Sequence, residues 1–356
     1  MTALSALQAF LPDERTALIL LDPSTRRWLT GFPASDGCVF LTKTAAVFLT
    51  DSRYIEAAQN TVTAMPCREA VSLSASVKEL AGAHGVTAIA VPGEQLTCAG
   101  FARWEKALAP LTLTADDALD RQISALRSVK TAEEIEGLRQ AQALTDDGFR
   151  YILQRIEPGR TEREIALDLE FYIRRQGAEG VSFEFIVVSG ENTSLPHGVP
   201  GDRVIRRGDF VTLDFGALWQ GLHADMTRTV AVGEISDEQR LVYDTVKKAQ
   251  QACLDVLKPG LSGVQADAAA RDVIAAAGYG DFFGHGTGHG VGFDIHESPT
   301  LSPRSQDKVL QTGQVVTVEP GIYLPGKFGV RIEDMAHLID GGVENLTKSE
   351  KTLITL

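Results

Sequence analysis

Cysteine is scarce in this sequence: four residues among 356, at positions 38, 67, 98 and 253, with no CxxC spacing. Scattered thiols exclude a disulfide framework and a cysteine-zinc site, and they fit reduced thiols in a cytoplasmic protein. Long apolar runs are lacking too. The longest near the N-terminus is Ala17-Leu18-Ile19-Leu20-Leu21, far below the roughly 20 residues that a membrane helix needs. It follows Asp13 and Glu14 rather than a basic segment, which reads against a signal peptide. Positive charge is the third deficit, with 34 Lys and Arg against 47 Asp and Glu and a net charge of −13. That balance excludes nucleic acid and anionic membrane as partners, because both require clustered cations. The remaining composition, 44% apolar and 23% charged, is that of a globular protein, and 356 residues favour two domains.

The first part of the chain alternates short apolar runs with helical spacing. "TALILLD" (16–22), "CVFLT" (38–42), "AAVFLT" (45–50) and "TAIAVP" (87–92) have strand length and content. "DSRYIEAAQ" is predicted to start a helix with Asp51 as its N-cap, and "TCAGFARWEKAL" to form another. This half reads as a small α/β domain over residues 1–125. Texture changes near Leu126, where Thr131 with Glu134 and Thr161 with Glu164 form capping boxes at the heads of amphipathic segments. Residues 126–356 form the second domain.

The second domain repeats itself. "IEPGRTEREI" (156–165) aligns with "LKPGLSGVQA" (257–266) at an offset of 101. "GDFVTLDFG" (208–216) aligns with "GQVVTVEPG" (313–321) at an offset of 105, setting Asp214 against Glu319. Two matches at nearly one offset indicate a duplicated helix-helix-strand unit, with the halves packed about a pseudo-twofold axis.

Each half carries an acidic hairpin. In "DFVTLDFGALWQGLHADMTRTVAV", a loop at Trp219 and Gln220 places Asp214 directly opposite Asp225. In "VVTVEPGIYLPGKFGVRIEDM", a fold-back centred on Gly326 places Glu319 opposite Glu333. Cross-strand partners share a face, so each pair of carboxylates repels itself unless a cation lies between. Four carboxylates brought to one buried axis call for divalent metal.

A third feature is "GHGTGHGVGFDIHESP" (284–299), which holds His285, His289 and His296 among five glycines. Neither GxGxxG, GxxxxGK[ST] nor HExxH fits it. One imidazole added to four carboxylates moves the metal choice toward Mn2+, Fe2+, Co2+ or Zn2+. Taken alone, these histidines fit a structural role equally well, as does His197 in "TSLPHGVP". His84, His223 and His337 are read as structural. Arg331 and Tyr323 fit either the core or the surroundings of the metals.

The order LDFG, ADMTRT, GHGTGH, HE, VEPG, RIED resembles the M24 metallopeptidases, which include Xaa-Pro aminopeptidase, Xaa-Pro dipeptidase and methionine aminopeptidase. The resemblance implies an α+β architecture: a C-terminal pita-bread fold with internal pseudo-twofold duplication, preceded by a smaller α/β creatinase-type domain. It implies Asp214, Asp225, His289, Glu319 and Glu333 as ligands of two divalent ions, Mn2+ first and Co2+ or Zn2+ as options. Asp225 and Glu333 would bridge the ions, and Glu319 would also handle the proton during hydrolysis by a metal-activated water. His197 and His296 match positions contacting substrate and the tetrahedral intermediate, and His285 matches a further active-site histidine of the aminopeptidase branch. Arg331 and Tyr323 match positions near the metals. The implied partners are peptides with proline at position two and a second copy of the chain in a homodimer.

One departure bears on substrate. Many prolidases of this type read HE-x-P-Arg, where the arginine holds a dipeptide carboxylate; here Thr300 stands at that place, with Arg304 four residues on. The departure favours an Xaa-Pro aminopeptidase. The alternatives are a prolidase acting on dipeptides and a non-catalytic binding member of the fold. The N-terminal domain disfavours methionine aminopeptidase.

Overall fold

A computed structural model describes residues 2–305 and 309–356. The chain divides into two compact units, Met1–Arg127 and Ser128–Leu356. In the first, six strands form one sheet: β1 (Thr16–Leu20), β2 (Cys38–Leu41), β3 (Ala46–Thr50), β4 (Cys67–Glu69), β5 (Ala88–Pro92) and β6 (Thr112–Asp116). Their order is β4-β3-β2-β1-β5-β6, with β2 antiparallel to both neighbours and the outer pairs parallel. All four sequence-predicted strands are present, and β4 and β6 join them. Six helices belong with this sheet: α1 (Ala3–Phe10), α2 (Pro23–Thr30), α3 (Ile55–Thr61), α4 (Leu73–Ala83), α5 (Cys98–Leu108) and α6 (Asp117–Ser128). Asp51 is not the N-cap of α3. Its side chain accepts from Arg53 N and its carbonyl from Tyr54 N, so a turn intervenes and the helix starts four residues later.

The second unit shows the duplication. Its helices are α7 (Ala132–Ile152), α8 (Glu162–Arg175), α9 (Asp237–Val256) and α10 (Gly263–Ala276). Each opens with a complete capping box: Thr131 with Glu134, Thr161 with Glu164, Ser236 with Gln239, and Ser262 with Gln265. Each box satisfies two otherwise unpaired backbone N–H groups, so the four starts are set locally.

Among the described residues thirteen strands accompany these helices. In the first half they are β7 (Gly180–Val181), β8 (Ile186–Ser189), β9 (Phe210–Phe215), β10 (Ala217–Trp219), β11 (Leu222–His223) and β12 (Met226–Ala231). In the second half they are β13 (Gly288–Gly290), β14 (Glu297–Leu301), β15 (Val315–Val318), β16 (Gly321–Leu324), β17 (Phe328–Arg331), β18 (Asp334–Ile339) and β19 (Gly342–Asn345). The sheet β12-β9-β8 corresponds to the β18-β15-β13 portion of a five-stranded sheet.

Both halves build their cores alike. On α8, Ile165, Leu169 and Ile173 recur every four residues and pack with Phe149, Val187, Val211 and Leu213. On α9 and α10, Val242, Val246, Ala266, Ala270 and Ile274 pack with Val316 and Val318. Each large aliphatic side chain buried this way contributes about 1.5–3 kcal/mol.

The first acidic hairpin pairs differently from the sequence expectation. Asp214 faces Thr227, not Asp225, and Leu218 faces His223. The turn is Gln220-Gly221, with φ of 50° and 83°. Two consecutive residues with positive φ make the type I′ turn that matches strand twist, so the fold-back lies one residue later than Trp219-Gln220. Parity survives, because a two-residue shift of partner leaves Asp225 on the face that Asp214 shares with Thr227. In the second hairpin Gly321 pairs with Arg331 and Val318 with Asp334. That register sets Glu319 across from Glu333, as the turn at Gly326 predicts.

Candidate metal centre and active site

Three of the four carboxylates sit where a strand breaks. Asp225 lies between β11 and β12, Glu319 between β15 and β16, and Glu333 between β17 and β18, while Asp214 is inside β9. The chain bends at these joints, and all four side chains line one cavity of about 790 Å3. His289, from the middle of the three-residue strand β13, joins them: its Nε2 is 3.3 Å from Glu319 Oε1 and 3.6 Å from Asp225 Oδ2.

The glycines around His289 are required by backbone approach. A Cβ at Gly288 would collide with the carbonyl of Thr317, and one at Gly290 with the carbonyl of Ser298. The β13 backbone therefore lies directly on both neighbouring strands, and His289 is held between them. His289 N donates to Thr317 Oγ1, and Thr287 N and Oγ1 both donate to the buried carboxylate of Asp267 on α10. Replacing Gly288 by alanine is expected to cost about 1–3 kcal/mol or more, read as a lower urea midpoint; an unchanged midpoint would refute the close approach.

Charge in this place is poorly balanced by the protein alone. Asp214, Asp225 and Glu333 are 8%, 5% and 1% exposed. Burial, then mutual repulsion, pushes the Asp225 and Glu333 carboxyls well above the usual carboxylate range. Burial also raises Asp214, against the opposing pull of Arg331. Glu319 is the exception: burial would raise it, but the His289 hydrogen bond and charge hold it at about 2. Burial would lower His289, but Glu319 and Asp225 push it up to about 9. In the metal-free chain the His289 imidazolium thus neutralises part of the cluster.

The donor set fits divalent cations. Asp214 Oδ1 is buried and makes no hydrogen bond, a costly state for a carboxylate oxygen unless another positive partner reaches it. Asp225, His289 and Glu333 each offer a ligand atom, all lying within 4.8 Å of one another. His289 Nδ1 is 3.0 Å from Gly290 O; donating there leaves Nε2 free to face the carboxylates, the usual orientation of a ligating histidine.

Among the described residues Arg331 is the guanidinium that reaches Asp214. It is 4% exposed and donates to Asp214 Oδ2, to Thr227 Oγ1 (3.0 Å), to Pro196 O (3.3 Å) and to Tyr323 OH (2.9 Å). Tyr323 OH in turn lies 2.8 Å from His285 Nε2, while His285 Nδ1 lies 2.8 Å from Gly286 O. One donor order satisfies the whole chain: Arg331 to Tyr323, Tyr323 to His285 and His285 to the backbone. Burial lowers the His285 imidazole, keeping it neutral as that order requires.

His197 and His296 also reach the cavity. The His296 ring meets that of His289 edge-on at 4.4 Å. Burial, then the charge on His289, lowers His296. His84, His223 and His337 line none of it: His84 lies against Phe40, His223 bonds Ser182 and His337 bonds Glu344. Thr300 and Arg304 are not among the described residues that line the cavity.

Sequence reasoning missed Thr227, which is fully buried and donates to Glu333 Oε2 at 2.7 Å while accepting from Arg331. Its signal was parity, two residues after Asp225 on the same face. Asp267 carried no such signal, because it serves a segment twenty residues away.

Two duplicated lobes that aim four carboxylates and an imidazole into one cavity define a pita-bread hydrolase equipped for divalent metal. The chain belongs to metallopeptidase family M24, whose sequence model matches residues 136–339, and the creatinase/prolidase N-terminal domain matches residues 4–129. It is 42% identical over 340 residues to the Bacillus subtilis protein named uncharacterized peptidase YqhT, covering 95% of each chain. Among solved structures it is similar to an Xaa-Pro dipeptidase from Bacillus anthracis (40% identity, TM-score 0.91, 96% of this chain and 95% of that one). It is also similar to an X-Pro aminopeptidase from Thermotoga maritima (35% identity, TM-score 0.90, 96% and 97%). Family membership implies divalent metal ions. Among the described residues no helix is long and apolar enough to cross a membrane.

Proposed function

We propose that this chain is an Xaa-Pro aminopeptidase, removing the residue that precedes a proline at position two. The observation that carries the choice is the cavity itself. At about 790 Å3 it continues past the carboxylates to Arg163, Leu167 and Glu170 on α8. That leaves room for peptide beyond the proline, and neither Thr300 nor Arg304 is among the described residues that line it. The Bacillus anthracis relative is named a dipeptidase, which makes cleavage of Xaa-Pro dipeptides the second reading.

Asp214, Asp225, His289, Glu319 and Glu333 are assigned as ligands of two divalent ions. Oxygen donors with one imidazole support Mn2+ as the resident metal. Bound there, the ions would supply Lewis acidity at the scissile carbonyl. Glu319, ionised and lining the cavity, accepts the proton. His197 and His296, which line the cavity, are assigned to donate hydrogen bonds to the developing oxyanion and the prolyl side. Pro196, Val199 and Ile295 give the cavity an apolar wall for a ring whose imide nitrogen has no proton to recognise.

Hydrolysis of Ala-Pro and Ala-Pro-Ala, compared after chelation and after adding Mn2+, Co2+ or Zn2+, tests the reading. The expected result is loss with chelator, restoration with metal, and a higher kcat/KM for the tripeptide. A preference for Ala-Pro would establish the dipeptidase. Full activity in excess chelator would sink the metal assignment.

A further inference from the structure

His197 is carried on a loop, residues 190–201, that forms one wall of the cavity. Both ends of this loop meet a single buried carboxylate, that of Glu162 in the first turn of α8. Glu162 is 0% exposed. Its Oε1 accepts from Ser189 N at 2.7 Å, from Ser189 Oγ at 2.8 Å and from Asn192 Nδ2 at 3.1 Å. Its Oε2 accepts from Gly201 N at 3.1 Å. The entry and exit of the loop are thereby tied to the start of one helix.

The helix start does not itself need this carboxylate. Capping of α8 is completed by Thr161 and Glu164. In the duplicated half the residue aligned with Glu162 is Gly263, and α10 still opens with a full capping box from Ser262 and Gln265. At Gly263 the backbone lies against β14, where a Cβ would collide with Thr300 O. One half therefore places a carboxylate where the other places bare backbone.

We propose that Glu162 is a positioning residue for catalysis, clamping the 190–201 loop so that His197 meets the bound peptide at a fixed place. The inner side of the loop is held separately, by Arg331 on Pro196 O and by Gly329 N on Thr193 Oγ1 at 2.8 Å. Those contacts fix the middle of the loop, and the carboxylate fixes its ends. Loss of the clamp leaves the metal ligands where they are and frees the wall that carries His197. This rests on the peptidase reading for its kinetic consequence, but the clamp has a readout of its own.

The experiment uses the full-length, Mn2+-loaded protein with Glu162→Gln and Glu162→Ala, each also combined with His197→Ala. Hydrogen exchange is followed by mass spectrometry, and kcat/KM is measured on Ala-Pro-Ala. Exchange is expected to quicken over residues 190–201 and to stay unchanged over β13 and β15, with metal content preserved. In the His197 background kcat/KM is expected to fall about 10- to 100-fold, the range for lost support of a reacting group. In the His197→Ala background the same change is expected to cost less than about threefold, because residues acting as one unit are not additive. Equal losses in both backgrounds, or unchanged exchange in the loop, would overturn the proposal. If Glu162→Ala does not fold, Glu162→Gln, which keeps the volume and part of the acceptor set, decides. If the parent protein cleaves no Xaa-Pro peptide, the peptidase reading has failed and exchange alone judges the clamp.

Discussion

Asp225→Asn is expected to abolish metal uptake and to lower hydrolysis of Ala-Pro-Ala by well over about 100-fold, while making the metal-free protein more stable. The two effects have one cause. Asp225 is 5% exposed, and burial followed by the neighbouring charge of Asp214 holds its carboxyl well above the ordinary range. A carboxyl with a raised folded-state pKa binds more protons folded than unfolded. Its contribution to stability therefore falls as pH rises from the unfolded value of about 3.9. Above the folded value the full destabilisation is present. Asparagine removes that charge, so at pH 8 the metal-free variant should melt above the parent by about 2–8 °C, the scale of a stabilising single substitution. The gap should close toward pH 4. Part of the gain is offset, because Asp225 also helps to hold the His289 imidazolium. Added Mn2+ should raise the melting temperature of the parent and not of the variant. A variant that still binds metal, or melts lower at pH 8 without it, would show that the Asp225 charge is balanced in some other way.

Arg331→Met should be the most damaging single change for stability. The guanidinium serves Asp214, Thr227, Tyr323 and Pro196 at once, from a position 4% exposed. Removing it leaves a buried carboxylate without its counter-charge, and such losses run to about 3–5 kcal/mol. Because a carboxylate and not a packing contact is stranded, the loss should be largest at pH 8 and shrink as pH falls and Asp214 takes up a proton. Arg331→Lys should rescue little, since one ammonium cannot reach four acceptors arranged around a planar fork. Urea unfolding of the metal-free protein at pH 5 and pH 8 decides. An equal loss at both pH values would assign the effect to packing.

The pairing of Asp214 shows where local information sufficed and where it stopped. Alternation along the hairpin was enough to put Asp214 and Asp225 on one face. It was not enough to fix the partner, because register depends on which two residues take positive φ. Gly221 held that signal in the sequence, and the glutamine before it concealed the turn. The second hairpin was legible throughout, since Pro325-Gly326-Lys327 admits one centre. Arg331 and Tyr323 stayed undecided between core and site, because each is defined by groups on other segments: Asp214 and Thr227 for Arg331, His285 for Tyr323. Asp267 and Glu162 were silent for the same reason: a buried acid declares its role only when its partners arrive.

By itself the sequence determined the capping boxes at Thr131 and Thr161, the duplicated unit, the parity of both acidic ribbons and the kinds of donor that could gather. These depend on neighbours within a few positions, where backbone hydrogen bonding and side-chain period act directly. The tertiary structure alone decided that the two pairs converge on His289, that Arg331 takes Asp214 as its partner, and that one helix grips the loop bearing His197. Each of those is a contact between segments distant in sequence, the first two set by how the duplicated halves pack and the third by packing within the first half, rather than by any stretch of letters.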